Sequence, residues 1–243
     1  MIDSTNYVAP AWSGTLDATI VLGQDIIQPA LRTLPTSNAP HPTPCIHASR
    51  ETNHLMPRRP DHVDPPDPPL SDGTVMLRPM RQSDLPGLME EGRDETTRRW
   101  VNVPIPYTEQ HARDELTQLM GSWDDPTAPL AFTITEHGSD QYRGVILLST
   151  ERPPGIVEVA YGVHPAARRR GLVTRAIRLV SRWAFEALGA ERLEGRTDPE
   201  NIASQRALER AGFTREGLER GSRSVQGVRK DMICWSLLPS DLD

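Results

Sequence analysis

A basic turn between an apolar strand and an amphipathic helix is the segment of this chain best suited to chemistry. The turn reads His164-Pro-Ala-Ala-Arg-Arg-Arg-Gly171, and the helix begins near Leu172. Backbone N–H groups in the first turn of a helix have no intrahelical partner, and the helix dipole adds partial positive charge there. Gly171 lets the backbone approach a ligand with no Cβ in the way. The sequence therefore predicts a phosphate-binding loop here.

The loop joins two elements that the residue pattern predicts clearly. Ile156–Val163 has the composition of a strand, and apolar residues recur at helical spacing from about Gly171 to Leu188. The three-glycine dinucleotide fingerprint and the Gly-Lys-Ser/Thr ending of nucleoside triphosphate loops are both missing from this segment. The loop alone does not identify the ligand. The alternative to a binding loop is an arginine-rich helix start that is simply exposed to solvent.

A second strand, turn and helix follow the first. Arg192–Thr197 is predicted as a strand and Asp198-Pro-Glu-Asn201 as a turn. Ile202–Ala211 is predicted as a helix that ends at Gly212, because glycine is the favoured residue just past a helix C-terminus.

These motifs, in this order, resemble the GNAT superfamily of N-acetyltransferases. Arg168-x-x-Gly171-x-Val173 resembles its acyl-CoA pyrophosphate loop, whose usual form is Gln/Arg-x-x-Gly-x-Gly/Ala, and Val173 departs from that form. Four further motifs are similar to the branch that contains the ribosomal-protein N-terminal (Rim-type) acetyltransferases: Glu158-Val-Ala-Tyr161, Asp198-Pro-Glu-Asn201-x-x-Ser204, Glu209-Arg-Ala-Gly-Phe213 and Asp231-Met-Ile-Cys-Trp-Ser-Leu237. The resemblance covers about residues 70 to 239.

The resemblance implies an α+β fold: a mixed, mostly antiparallel sheet with helices on both faces. In GNAT proteins the strands equivalent to Ile156–Val163 and Arg192–Thr197 splay apart, and the pantetheine arm lies in the gap. The implied activity is direct acetyl transfer from acetyl-CoA to a primary amine in a ternary complex, without a metal. The alternative is a catalytically weak acyl-CoA-binding regulatory module that docks partners through its N-terminal arm.

The implied coenzyme-binding residues lie at the end of the first strand, in the loop and at the second turn. They are Val163, His164, Arg168, Arg169, Arg170, Gly171, Leu172, Val173, Thr174 and Asn201.

Acyl transfer from a thioester to an amine requires that the amine lose a proton and that the departing thiolate gain one. The resemblance implies that Ser204 is the proton donor, because many relatives carry Tyr where this chain has Leu208. Glu158 and Glu194 match family glutamates, and either is a candidate base. Sequence alone does not decide which of them faces the cleft, and each is equally compatible with a solvated strand carboxylate. Ser204 is also compatible with a bond to its own helix backbone.

In the resembled branch, the connector between the first two helices and the last hairpin form the acceptor side. That nominates Trp100 and Tyr107 for substrate binding, together with Arg98 and Arg99, and the segment Arg220–Arg229 opposite. Core packing is the competing role for Trp100. Small-molecule amines and protein N-termini both remain open as acceptors.

Composition narrows the partners and the compartment. A net charge of −6 and a pI of about 5.7 argue against nucleic-acid binding. No run approaches the roughly 18 apolar residues of a membrane helix, and the acidic, polar N-terminus does not have the pattern of a signal peptide, so we expect a cytoplasmic protein. Monomer and homodimer both remain open. Cys45 and Cys234 form no disulfide framework, and the His and Cys residues between 41 and 62 match no zinc spacing.

Proline distribution predicts the domain organisation. Twelve of the 23 prolines fall in residues 1–70. We expect a Pro-rich, disordered extension over 1–69, a catalytic domain over 70–239 and a tail over 240–243. The remaining predicted elements are strand Val75–Met80, helix Asp84–Glu91, a helix after Thr108, strands Leu130–Glu136 and Arg143–Ser149, and a final strand pair split by Gly221 and Gly227.

Overall fold

The computed structural model describes residues 63–150, 153–225 and 227–242. These ranges form one eight-stranded sheet with five α-helices. The strands are β1 (Leu70–Ser71), β2 (Val75–Pro79), β3 (Leu130–Glu136), β4 (Gly144–Ser149), β5 (Ile156–Val163), β6 (Arg192–Thr197), β7 (Thr214–Val225) and β8 (Val228–Leu237). The helices are α1 (Leu85–Arg93), α2 (Glu95–Trp100), α3 (Glu109–Gly121), α4 (Leu172–Ala187) and α5 (Ile202–Ala211).

The order of strands across the sheet is β1-β2-β3-β4-β5-β6-β8-β7. Neighbours are antiparallel except β5 and β6, which run parallel. That pair is in register over only three positions, the last of which joins Glu158 to Glu194. Beyond this position both strands continue but no longer pair with each other. The predicted fold class, with its splayed central strand pair, is confirmed.

Alternation along the strands buries both faces of the sheet. Ile146 and Leu148 of β4 face the main core, which contains the apolar stripe of α4. Val145 and Leu147 point the other way, into a second core with α1 and α3. Because successive strand residues face opposite sides, β4 can be entirely buried and still separate two helical layers.

Most predicted elements agree with the structure to within about two residues, and Thr108 is the N-cap of α3 as predicted. Two parts of the prediction need correction. The connector before Tyr107 contains an unpredicted helix, α2, whose N-cap Asp94 accepts a hydrogen bond from Thr97 N at 2.9 Å. The predicted break at Gly221 is wrong, because β7 runs through it with a register irregularity, and only Gly227 lies at the hairpin turn.

The main core extends N-terminal to the predicted domain start. Val63 is buried in it, although the boundary was expected near residue 70. Residues 1–62 of the predicted extension, including the His and Cys residues between 41 and 62, lie outside the described residues, and the domain division stays a prediction. Within the described ranges, no helix has the length and apolarity needed to cross a membrane.

Candidate active site

A cleft of about 140 Å³ opens where β5 and β6 part. One wall comes from α1, α2 and the segment before α3, and the other from β6, β8 and the start of α5. The predicted site residues that line it include Trp100, Tyr107, Glu158, Asn201 and Ser204. Arg99 of α2 and Arg223 of the last hairpin, both nominated for the acceptor side, line it as well. Glu194 is not among the residues that line the cleft.

Two hydroxyl groups meet across the gap between the parted strands. Tyr161 of β5 places its Oη 2.9 Å from Ser204 Oγ and 3.2 Å from the Ser204 carbonyl oxygen. Burial raises the pKa of Tyr161 to about 12, although the bond to Ser204 acts in the opposite direction. Tyr161 therefore stays protonated at neutral pH. Sequence reasoning named Ser204 and missed Tyr161, since the two lie 43 residues apart along the chain.

The start of α5 explains the positions of Asn201 and Leu208. Asn201 is the N-cap, and its Oδ1 accepts a hydrogen bond from Ser204 N at 3.1 Å. This bond leaves the Ser204 hydroxyl available for Tyr161. Leu208, at the position where many relatives carry Tyr, is buried and packs against Gly195 of β6.

The two candidate carboxylates are neighbours at the last register position shared by β5 and β6. Glu158 is buried, and its two oxygens accept hydrogen bonds from Arg196 at 3.0 Å and Arg223 at 3.2 Å. Glu194 accepts from Arg192 at 3.0 Å and lies 3.5 Å from Arg196. Both carboxylates are therefore paired with guanidinium groups. Of the two, Glu158 lines the cleft and Glu194 does not.

The predicted coenzyme loop has the backbone that phosphate binding needs. Gly171 caps α4 with a φ of 75°, a left-handed conformation that glycine adopts without strain. The first intrahelical bond runs from Arg175 N to Gly171 O, so the N–H groups of Leu172, Val173 and Thr174 have no intrahelical acceptor. Val173, like Val163 at the end of β5, is partly buried against the main core. Its larger side chain therefore packs into the protein.

The basic side chains of the loop have different partners. Arg168 donates to Asp94 Oδ2 at 2.5 Å and to Thr97 Oγ1 at 3.0 Å, which ties the loop to the start of α2. Arg170 pairs with Glu136, and His164 Nε2 lies 3.0 Å from Glu90 Oε2. Arg169 is exposed at a φ of 63° and makes no ion pair within the described ranges.

A buried network of two carboxyls and two phenols lies on the α1 and α3 side of the cleft. Tyr142 donates to Glu91 Oε2 at 3.0 Å, and Tyr107 donates to Glu115 Oε2 at 2.5 Å. Burial raises the pKa of Glu91 to about 8, with a further contribution from the charge of Glu115. Burial also raises the pKa of Glu115. Sequence reasoning nominated Tyr107 as a substrate residue but missed the carboxyls, which lie on helices predicted only as packing elements.

Three glycines make room for this network. A Cβ on Gly92 would collide with the Tyr107 ring, and one on Gly87 would collide with the Tyr142 ring. A Cβ on Gly162 of β5 would collide with Glu91 Oε1. The network is therefore fitted closely to the backbone around the cleft.

Of the predicted acceptor residues of α2, Arg99 and Trp100 line the cleft and Arg98 does not. Trp100 is half-buried and lines the cleft, and the Arg99 guanidinium stacks 4.5 Å from the centre of its ring. Arg99 also pairs with Glu200 at 3.0 Å, which connects α2 to the turn before α5.

The family model described as the acetyltransferase (GNAT) domain matches residues 74–214, more than half of the chain. The chain belongs to the GNAT family. Among curated proteins, probable N-acetyltransferase YjcK of Bacillus subtilis is 26% identical over 189 residues, which cover 71% of this chain and 98% of YjcK. This GNAT protein is therefore an N-acetyltransferase, and its family uses acetyl-CoA.

Solved structures support the same fold. Mycobacterium smegmatis RimJ, in complex with CoA-disulfide, has a TM-score of 0.62 at 20% identity and covers 72% of this chain and 87% of its own. The ribosomal-protein-S5-alanine acetyltransferase of Vibrio fischeri has a TM-score of 0.59 at 20% identity, over 70% and 96% of the two chains. Rim-type enzymes are thus among the structural neighbours of this GNAT domain, in agreement with the resemblance seen in its motifs.

Proposed function

We propose that this GNAT protein transfers the acetyl group of acetyl-CoA directly to a primary amine, and that the amine is the N-terminus of a polypeptide. The observation that carries the proposal is the parting of β5 and β6 after Glu158 and Glu194, with the Tyr161–Ser204 hydroxyl pair in the gap. The phosphate loop at one end of the gap and the cleft at the other suit a coenzyme and an acceptor that meet between the strands.

The pyrophosphate of the coenzyme would bind at the N-terminus of α4. The N–H groups of Leu172 to Thr174, which have no intrahelical acceptor, supply donors, and Arg169, which makes no ion pair with the described residues, supplies charge. Gly171 leaves the approach open. The burial of Val173 against the core supports binding, because its side chain does not occupy this space. The departure of Val173 from the usual loop pattern therefore does not argue for a weakly active regulatory module.

Ser204 would stabilise the departing sulfur. The nitrogen lone pair of the amine attacks the thioester carbonyl carbon, a C–N bond forms, and the C–S bond breaks with its electron pair on sulfur. When Tyr161 donates to Ser204 Oγ, the Ser204 hydrogen is free to point toward that sulfur. A hydrogen bond directed to charge that develops only during reaction lowers the barrier without tightening substrate binding.

The walls of the cleft favour a peptide over a small, highly charged amine. Lys230 lines one wall and Trp100 lines the other, which suits a peptide main chain with polar side chains. The Vibrio fischeri neighbour is named for acetylation of a ribosomal protein, which is consistent with this acceptor class.

The test is an acceptor panel assayed for thiol release and product mass. It should contain peptides with free N-termini, the same peptides blocked at the N-terminus but carrying lysine, polyamines and amino sugars. We expect acetylation of free peptide N-termini above every other class. Acetylation of only small amines would reject the acceptor, and thiol release no faster with amine than without it would reject the activity.

A further inference from the structure

Glu91 presents one unused carboxyl oxygen to the cleft. The residue is only 4% exposed, and Tyr142 binds its Oε2. Its Oε1 makes no hydrogen bond within the described part of the chain and lies beside Gly162, on the section of β5 that no longer pairs with β6. A buried carboxyl group normally has its polar atoms satisfied, so this oxygen is placed to take a hydrogen bond from a group that enters the cleft.

The other carboxylates at the cleft are less suitable for binding an amine. Both oxygens of Glu158 already accept hydrogen bonds from guanidinium groups, and Glu194 does not line the cleft. Glu115 lies beside Glu91 but is tied to Tyr107. Glu91 is also on the face of the sheet opposite α4, because Gly162 points toward α1 and the second core. An acyl group that reaches the gap from the α4 side would therefore meet an amine held by Glu91.

We propose that Glu91 binds the ammonium group of the acceptor and accepts its proton, and that Tyr142 and Glu115 position it for this step. The proposal rests on the proposed acetyl transfer to an amine. It adds a catalytic residue that the sequence motifs do not contain.

Glu91 is protonated in the resting enzyme and releases that proton to solvent when the acceptor ammonium enters and pairs with the carboxylate. The ammonium then gives one proton to Glu91 Oε1, and the freed nitrogen forms the C–N bond. As the C–S bond breaks, the second amine proton passes to sulfur through the Ser204 hydroxyl. One proton is released per acetyl group transferred, and Glu91 returns to its resting state.

The groups that face Glu91 determine the pH at which it works. Burial and the charges of Glu115 and Asp94 raise its pKa, whereas Tyr142 and Arg168 lower it, with a net value of about 8. An α-amine has a pKa of about 7.7–8.0, close to that of Glu91 before the amine enters. Among the described residues, the titratable and charged groups that act on it are Asp94 from the start of α2, Tyr107, Glu115 from α3, Tyr142 from the segment before β4 and Arg168 from the coenzyme loop. Glu158 from β5 lines the same cleft.

The first experiment measures kcat/KM against pH for the wild type and Glu91→Gln with a free N-terminal peptide. The glutamine keeps the shape and still accepts from Tyr142. We expect a loss of about 10²–10⁴-fold at pH 7 that shrinks above pH 9, where the peptide amine arrives as free base. Acetyl-CoA should still raise the melting temperature of the variant. Glu109→Gln, the same change at an exposed position of α3, should leave the profile unchanged.

A loss that is equal at every pH, or no loss, would overturn the assignment of Glu91 while leaving the transferase activity intact. A wild type that transfers acetyl to no amine would instead overturn the proposed function. The two failures are therefore distinguishable.

Two further variants test whether Tyr142 and Glu115 position Glu91. They also test the role of Glu91 if Glu91→Gln does not fold. Tyr142→Phe removes a hydrogen bond that lowers the pKa of Glu91, so the acidic limb of the rate profile should move to higher pH. Glu115→Gln removes a charge that raises the pKa, so the limb should move to lower pH. Shifts in the same direction, or none, would contradict the proposal.

Discussion

Tyr161 Oη lies 2.9 Å from Ser204 Oγ, and the two hydroxyls face each other in the gap that β5 and β6 leave. If Ser204 hydrogen-bonds to the departing sulfur, Ser204→Ala should lower kcat by about 10²-fold or more. The affinity for acetyl-CoA should change little, because this hydrogen bond strengthens only as charge develops on sulfur. Steady-state kinetics and a coenzyme titration measure the two effects separately.

Tyr161→Phe is the matched variant, since it removes only the partner hydroxyl. We expect a smaller loss of kcat, and the double variant should be no slower than Ser204→Ala, because the tyrosine acts through the serine. Additive losses would mean that the two hydroxyls act independently.

Acetyl-CoA should stabilise the wild type through the loop before α4. At a hundredfold excess over its dissociation constant, a ligand that binds only the folded state adds about 2.7 kcal/mol. Gly171→Glu should abolish the shift in melting temperature by placing bulk and negative charge against the pyrophosphate. Gly189→Glu is the control, because Gly189 also has a positive φ and open surroundings but lies beyond the other end of α4. A shift that survives in Gly171→Glu would place the coenzyme elsewhere.

Glu158 should matter more for stability than its neighbour Glu194. Glu158→Gln removes the buried charge that Arg196 and Arg223 share, and we expect a loss of about 1.5–3 kcal/mol in the free energy of unfolding. Glu194→Gln should cost less, since Arg192 keeps Glu216 and Arg196 keeps Glu158. Denaturant unfolding of both variants measures the difference, and equal losses would contradict this account.

The raised pKa of Glu91 predicts how stability depends on pH. An unfolded chain ionises this glutamate near pH 4.3, whereas the folded chain holds the proton to about pH 8. Between these values the unfolded state binds fewer protons, so this residue makes the folded state less stable as pH rises. The melting temperature of Glu91→Gln should equal that of the wild type near pH 4.5 and exceed it increasingly toward pH 8. A constant difference would show that Glu91 is ionised throughout.

The position of Val63 predicts where the chain can be shortened. A chain that begins at residue 63 should keep its thermal transition and its turnover on a peptide, because the Pro-rich composition before it offers little apolar surface to bury. A chain that begins at Leu70 should melt lower, since it lacks the buried Val63 side chain. Equal melting temperatures for the two would mean that Val63 adds nothing.

The fold and the coenzyme loop could be predicted because their signals are local. The strand Ile156–Val163, the turn at Gly171 and the helix Ile202–Ala211 each follow from periodicity and from residues with special backbone preferences. The short α2 escaped prediction, since six residues carry little periodicity and its Asp94 cap resembles a turn residue.

The cleft itself could be predicted only in part, because its chemistry depends on contacts between distant residues. Glu91 bonds to Tyr142, 51 residues further along the chain, and Glu115 bonds to Tyr107 before α3, so the residues adjacent to each carboxyl in sequence give no sign of its role. Likewise, alternation along β5 and β6 gave no means of choosing between Glu158 and Glu194. That distinction needed the position of the cleft and the partners of both carboxylates.

The glycines beneath the buried network make the cleft recognisable in other sequences. Gly87, Gly92 and Gly162 each lack the one atom that would strike Tyr142, Tyr107 or Glu91. In a homologue, alanine at any of these positions can be accommodated only if the facing side chain becomes shorter or moves. In each of the three pairs, the glycine and its facing side chain should therefore change together during divergence. A homologue that keeps Gly162 but has a smaller, uncharged residue in place of Glu91 should have a larger, less acidic cleft.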